Sequence, residues 1–229
     1  MVKSRVLTPL RITPLSLPAA GGTPDDREAA VRAAVLAAEA DLVVLPEAHL
    51  PGYAHVRGDA GARAHALLRS LPPTAMGYLD GDGSWLALAV DGEVHTYRKR
   101  FPSPAESRVW RAGDRPGLAR TRLGRIGMLV CADVLQLDAW EALRGEVDAV
   151  VVAAAWPDYR GVPFDSNPYR DRLLARAASS LGVPVAFANA SGPGFSGGAR
   201  VFQPGPPEPL RHEAGWGAFC RMYRRLSGR

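Results

Sequence analysis

Cysteine is scarce in this chain: among 229 residues only Cys131 and Cys220 occur. Two thiols exclude a disulfide framework and cannot make a cysteine-rich zinc site. The five histidines (His49, His55, His65, His95, His212) lack the spacing of a zinc site as well. No apolar run reaches the length that spans a bilayer. The start, Met1-Val2-Lys3-Ser4-Arg5-Val6, lacks the apolar segment of a signal peptide, so a cytoplasmic protein without membrane partners is expected. Long blocks of one charge are missing too. The net charge of +5, from 28 basic and 23 acidic residues, is spread along the sequence, which gives little support to a nucleic-acid partner. The densest basic patch, Arg221, Arg224 and Arg225, reads as the solvated face of a terminal helix. Repeats, low-complexity tracts and an interior linker are also absent. Residues 1–229 are therefore read as a single domain, long enough to bury a substantial core.

Strand and helix signals alternate, the pattern of an α/β layered fold. Val6–Leu10 reads as a first strand. Thr23 offers an N-cap, Pro24 suits the first helical position, and Asp25, Asp26 and Glu28 favour the positive end of the dipole, so a helix is expected from about Pro24 to Ala40. Leu42–Leu45 reads as a strand and Arg57–Leu71 as a helix stopped by Pro72-Pro73. Trp85–Val90 and Glu93–Tyr97 flank Asp91-Gly92, a strong hairpin signal. Arg100–Pro116 is a loop-rich excursion. Ile126–Val130 reads as a buried strand, followed by a helix with Leu137, Trp140 and Leu143 on one face. Val147–Ala154, Val183–Asn189 and Ala199–Gln203 are further strands, with a helix Tyr169–Leu181 closed by Gly182 between the first two. Trp216, Phe219, Tyr223 and Leu226 mark a final amphipathic helix.

The informative position is Cys131, where the apolar run Gly127-Met128-Leu129-Val130 stops. A thiol there is held by a rigid element and open on one side. It attacks only as thiolate, so it needs a base and a positive neighbour. Glu47, closing Leu42-Val43-Val44-Leu45-Pro46-Glu47, can accept a proton. Lys99, just beyond the second hairpin arm, can stabilise the charged pair and then an oxyanion. Each also has a plain alternative: an inert buried cysteine, a carboxylate ending a strand in water, a surface lysine.

Leu42–Glu47 running into Leu50-Pro51-Gly52-Tyr53 resembles the glutamate motif of the nitrilase, or carbon–nitrogen hydrolase, superfamily. Tyr97-Arg98-Lys99 resembles its lysine motif, and Arg125–Asp133 its nucleophile motif, in the same Glu, Lys, Cys order. Gly113-Asp114, Asp148–Pro157, Ala175-Arg176-Ala177 and Ala188-Asn189 fit further landmarks. The resemblance implies an α/β fold of α-β-β-α sandwich type, associating as a homodimer. It implies Glu47 as general base, Lys99 as stabiliser of the tetrahedral intermediate and Cys131 as nucleophile. The Ala132 N–H would be a second oxyanion donor, and Glu106 a further glutamate that orients Lys99 and substrate. No metal or organic cofactor is needed, since nucleophile, base and oxyanion donors all come from the chain.

Ala132-Asp133 after the cysteine is nearer the Cys-x-Asp of amidases and carbamoylases than the Cys-Trp of nitrilases. A small amide or carbamoyl-type substrate is therefore expected, with nitrile hydrolysis as the alternative. Tyr53 and Trp156, with Tyr159, are candidate pocket residues that equally suit packing. Arg98, Arg100, Arg160 and Arg170 are candidate partners for a substrate carboxylate. The chain is short for the superfamily between Tyr53 and Trp85 and after Pro204, which keeps open a degenerate member acting as a binding protein. Gly194-Phe195-Ser196-Gly197-Gly198 fits G-x-S-x-G but sits in a Gly/Pro loop without the strand-turn-helix setting that motif needs. A Cys–His hydrolase using His49 is the remaining competitor.

Overall fold

The structure is a computed structural model describing residues 10–19, 21–50, 60–158 and 166–211. Its ten strands form two five-stranded sheets. The first takes β1 (Ile12–Pro14), β2 (Leu42–Val44), β3 (Thr74–Asp80), β4 (Gly83–Val90) and β5 (Glu93–Arg98), in that order. The second takes β6 (Leu118–Thr121), β7 (Gly124–Val130), β8 (Ala149–Ala154), β9 (Val185–Asn189) and β10 (Ala199–Phe202), with spatial order β10-β9-β8-β7-β6. β1, β2 and β3 run parallel, as do β7, β8 and β9; the remaining neighbours are antiparallel. β8 reads Ala-Val-Val-Val-Ala-Ala and is buried throughout, as a central parallel strand covered on both faces must be.

Helices α1 (Pro24–Ala37) and α2 (Ala60–Arg69) cover the outer face of the first sheet through Val31, Val35, Ala64, Leu67 and Leu68. Helices α3 (Leu137–Glu141) and α4 (Ser166–Leu181) cover the second through Trp140, Tyr169, Leu173 and Leu174. Between the sheets, Leu42, Leu86, Leu88 and Tyr97 face Ala119, Ala149, Ala153, Ala186 and Ala188. Ile126, Met128, Val130 and Val151 of the second sheet fill the space around those alanines, so the layers interlock. This is the α-β-β-α sandwich. Among the described residues no helix is long and apolar enough to cross a membrane.

Local chemistry explains the elements that match the sequence reading. Thr23 caps α1, accepting from the Asp26 N–H at 3.2 Å while the Asp26 carboxylate accepts from the Thr23 N–H at 2.7 Å. Asp91-Gly92 turns β4 into β5, both residues in the left-handed region. Other expectations are corrected. α1 stops at Ala37 because Ala38 is already extended. The first described strand begins at Ile12; Leu10 carries none, and the rest of Val6–Leu10 lies outside the described residues, as does the final amphipathic helix. Two strands, β3 and β6, have no counterpart in the sequence reading. β3 carries Gly77 at its centre, and β6 alternates only across four residues beside a Gly-rich loop.

His49 follows β2 and is only 3% exposed, with neither ring nitrogen hydrogen-bonded. Burial first, then the nearby Arg27 guanidinium, lowers its pKa from 6.5 to about 4. An unfolded chain would protonate this ring where the fold resists, so stability is lost as pH falls from 6.5 to 4, by about 3 kcal/mol. Asp133, raised by burial from 3.8 to about 6, acts oppositely and gains stability as pH falls through its folded value. We expect His49→Leu to lose the acid penalty of the buried ring, so that its urea midpoint, relative to wild type, rises on going from pH 7 to pH 5. A pH-independent difference between the two proteins would refute this account.

Candidate active site

Glu47, Lys99 and Cys131 all lie just beyond the carboxyl ends of strands, where α/β sheets place their ligand sites. β2 delivers Glu47 through Leu45-Pro46, and the Glu47 N–H donates to the Ala154 carbonyl of the other sheet at 3.3 Å. β5 delivers Lys99, whose N–H extends the ladder to the Ser84 carbonyl at 2.9 Å. β7 delivers Cys131. Gly77 on β3 makes this possible, since a Cβ there would collide with the Glu47 Cα and lie 2.8 Å from the Pro46 carbonyl oxygen. Only glycine lets the glutamate loop lie so close to the sheet.

Lys99 Nζ donates to Glu47 Oε1 at 2.9 Å and to Glu106 Oε1 at 2.8 Å. Ser84 Oγ also donates to Glu47 Oε1, at 2.9 Å, and the Ala155 N–H donates to Glu47 Oε2 at 3.2 Å. Glu106 opens a short 3-10 turn (Glu106–Arg108), and its Oε2 accepts from the Ser103 N–H at 2.6 Å. The Glu47 and Lys99 side chains are 1% and 2% exposed. One buried and one partly exposed carboxylate thus share one buried ammonium, with hydrogen bonds filling both oxygens of Glu47.

Burial raises the Glu47 pKa, and the Glu106 charge adds to this; Lys99 offsets only part. Glu106, also desolvated, is nevertheless lowered by the charge and hydrogen bond of Lys99 and by Ser103. The Cys131 thiol is raised well above its usual range, first by burial and then by Glu47, with Lys99 and the Ala155 N–H pulling it down. The Cys131 thiol and Glu47 are thus both shifted toward their neutral forms by burial and by neighbouring carboxylate charge.

Cys131 has φ +44°, a left-handed conformation unusual for a side chain with a Cβ. Such a position costs about 1–3 kcal/mol and persists only where its surroundings over-determine it. It starts a 3-10 turn (Cys131–Leu135) in which the Asp133 carboxylate accepts from the Val130 N–H at 2.9 Å. The expected amphipathic helix is shorter: after this turn α3 runs only from Leu137 to Glu141, and Leu143 lies beyond its end. Ala132 occupies the second position of the turn.

Trp156 is placed differently: its ring is 2% exposed and belongs to the core outside the second sheet, with the Arg170 guanidinium 5.9 Å away. Tyr53, Tyr159, Arg160 and Cys220 lie outside the described residues. Arg98 pairs with Asp82, and Arg170 with Asp171. Ser196 accepts from Asn189 Nδ2 at 2.9 Å and from Arg170 at 3.2 Å, and the strand after it, not a helix, removes the G-x-S-x-G reading. Among the described residues no group of three His, Cys, Asp or Glu is placed to hold a metal ion. Ser84 and the Ala155 N–H escaped the sequence reading; a serine opening an apolar strand and a backbone amide carry no signal of their own.

The carbon-nitrogen hydrolase family profile matches residues 25–205. Comparison with curated proteins finds no match. Among solved structures, a single mutant of the amidase from Nesterenkonia sp. AN1, carrying the acetamide moiety of fluoroacetamide on its active-site cysteine, is 25% identical. The match covers 85% of this chain and 82% of that one, with a TM-score of 0.73. A double mutant of the same amidase, in complex with acrylamide, is also 25% identical, covering 86% of each chain at a TM-score of 0.74. The glutamine-dependent NAD+ synthetase from Acinetobacter baumannii shares the fold at 20% identity, TM-score 0.73, with 85% of this chain matching 41% of that longer one.

Two outcomes follow from the geometry. Alkylation of Cys131 by iodoacetamide, followed by peptide mass spectrometry against pH, should titrate above a free thiol. Glu47→Gln should lower that titration point and Lys99→Met should raise it, as the charges on the thiol require; the reverse order would refute the electrostatic reading. Gly77→Ala should cost about 1–3 kcal/mol of stability through overpacking against Glu47, read as a lowered thermal midpoint.

Proposed function

Because the chain belongs to the carbon–nitrogen hydrolase family, we propose that it hydrolyses the C–N bond of a small amide or carbamoyl-type substrate through a thioester on Cys131. The observation that carries this reading is Lys99 Nζ held at 2.9 Å from Glu47 and 2.8 Å from Glu106, with all three charges acting on the Cys131 thiol.

In this reading Cys131 Sγ attacks the carbonyl carbon as its proton passes to Glu47. The oxyanion is held by Lys99 and the Ala132 N–H, both preorganised. Glu47 then protonates the departing nitrogen, the C–N bond breaks, and a thioester remains. Water takes its place and loses a proton to Glu47 as it attacks. The second tetrahedral species collapses, the C–S bond breaks, and the proton returns to sulfur. Glu106, the second acceptor of Lys99, keeps the ammonium charged. Amides are favoured over nitriles because the similar solved structures at 25% identity are those of an amidase.

A panel of short aliphatic amides, carbamoyl amines and nitriles, with ammonia release and intact mass followed together, tests the proposal. Wild type should turn over amides and show an acyl adduct on Cys131, and Cys131→Ala should show neither. Glu47→Gln should lower kcat by on the order of 10²–10⁴ even though its thiol becomes more acidic. The rate should fall as pH drops through the Glu47 value, which burial places above the ordinary carboxylate range. Turnover retained by Cys131→Ala would overturn the proposal.

A further inference from the structure

Asp133 is fully buried, and its carboxylate collects three donors from two different sheets. Oδ2 accepts from the Tyr97 hydroxyl at 2.8 Å and from the Val130 N–H at 2.9 Å; Oδ1 accepts from the Phe101 N–H at 2.9 Å. Tyr97 lies two residues before Lys99 and Phe101 two residues after it. Val130 immediately precedes Cys131. One side chain therefore grips both flanks of the lysine and the entry to the nucleophile turn. The Tyr97 hydroxyl is doubly engaged, accepting from the Arg100 N–H at 3.3 Å, so the chain around Lys99 closes on Asp133 from both directions.

We propose that Asp133 is a positioning residue that fixes the Lys99 ammonium against the Cys131 sulfur by tying the exit of β5 in one sheet to the exit of β7 in the other. Nothing else at this position meets the same demand. Asparagine is nearly isosteric but offers one acceptor oxygen, so its NH2 would face either the Phe101 N–H or the Val130 N–H and Tyr97 hydroxyl together. A donor meeting a donor in a buried site forces the segments apart. Apart from its three hydrogen-bond donors, the charged group that acts on Asp133 is Lys99 itself.

The inference rests on the reading of Cys131 as nucleophile and Lys99 as its electrostatic partner, and the test separates the two. Cys131 alkylation against pH reports Lys99–thiol geometry whether or not a substrate is turned over. If Asp133 acted on the thiol only by its negative charge, Asp133→Asn would lower the thiol titration point. If it positions Lys99, the same variant lets the ammonium drift, and the titration point rises. Tyr97→Phe keeps the charge and removes one tether, and should raise the point by less; it also serves if Asp133→Asn does not fold, as judged by circular dichroism. With an amide substrate, Asp133→Asn should lower kcat by on the order of 100-fold, as expected for a displaced reacting group, with KM changed far less. A titration point that is unchanged or lowered in folded Asp133→Asn, or unchanged in Tyr97→Phe when Asp133→Asn does not fold, overturns the proposal. Altered alkylation without any amide turnover in wild type would instead leave the positioning intact and remove the proposed reaction.

Discussion

Lys99 carries one positive charge between Glu47 and Glu106 at a depth where water does not reach, and the geometry around it depends on that charge being shared. Without the ammonium, each carboxylate would carry the full cost of its own desolvation. Together they leave Glu106 ionised and Glu47 more basic than usual, an asymmetry set by position. Glu106 sits at the rim, 15% exposed, and accepts a further hydrogen bond from the Ser103 N–H; Glu47 lies deeper, and its second oxygen is turned toward the other sheet. The more basic carboxylate is the one nearer the layer that carries the thiol.

That second oxygen leads to the packing. Glu47 and Lys99 come from the first sheet and Cys131 and Ala155 from the second, so the cluster exists only where the inner faces meet. Alanines on the inner face of the second sheet let the layers approach closely enough for the Ala155 N–H to reach Glu47. The same approach places that N–H beside the Cys131 thiol. Core composition and site geometry are thus linked: larger side chains at Ala153 or Ala188 would push apart groups far from them in sequence.

The layered fold was legible because its strands are short apolar runs closed by turn residues, and because Thr23, Pro24 and Asp91-Gly92 do chemistry that can be read locally. β3 was not legible, since Gly77 breaks its pattern; that glycine is there for Glu47, and only the folded contact reveals why. The charged members of the cluster stood out as polar residues where apolar strands stop. Trp156 shows the opposite limit, because an aromatic after a strand serves pocket and core equally, and here the ring lies in the core. The left-handed turn at Cys131 left no trace in the sequence, since no glycine or asparagine marks it. Asp133 was visible but read for substrate class, whereas its three hydrogen bonds reach residues more than thirty positions away as well as its own turn.

Each sheet is a continuous stretch of chain: residues 12–98 supply the first and 118–202 the second. A ribosome therefore completes the whole glutamate- and lysine-bearing layer before it makes the cysteine. Until the second layer has been synthesised and has docked, the charges of Glu47, Lys99 and Glu106 have no thiol to act on. The charged cluster and the thiol are therefore brought together last, at the moment when the two halves close.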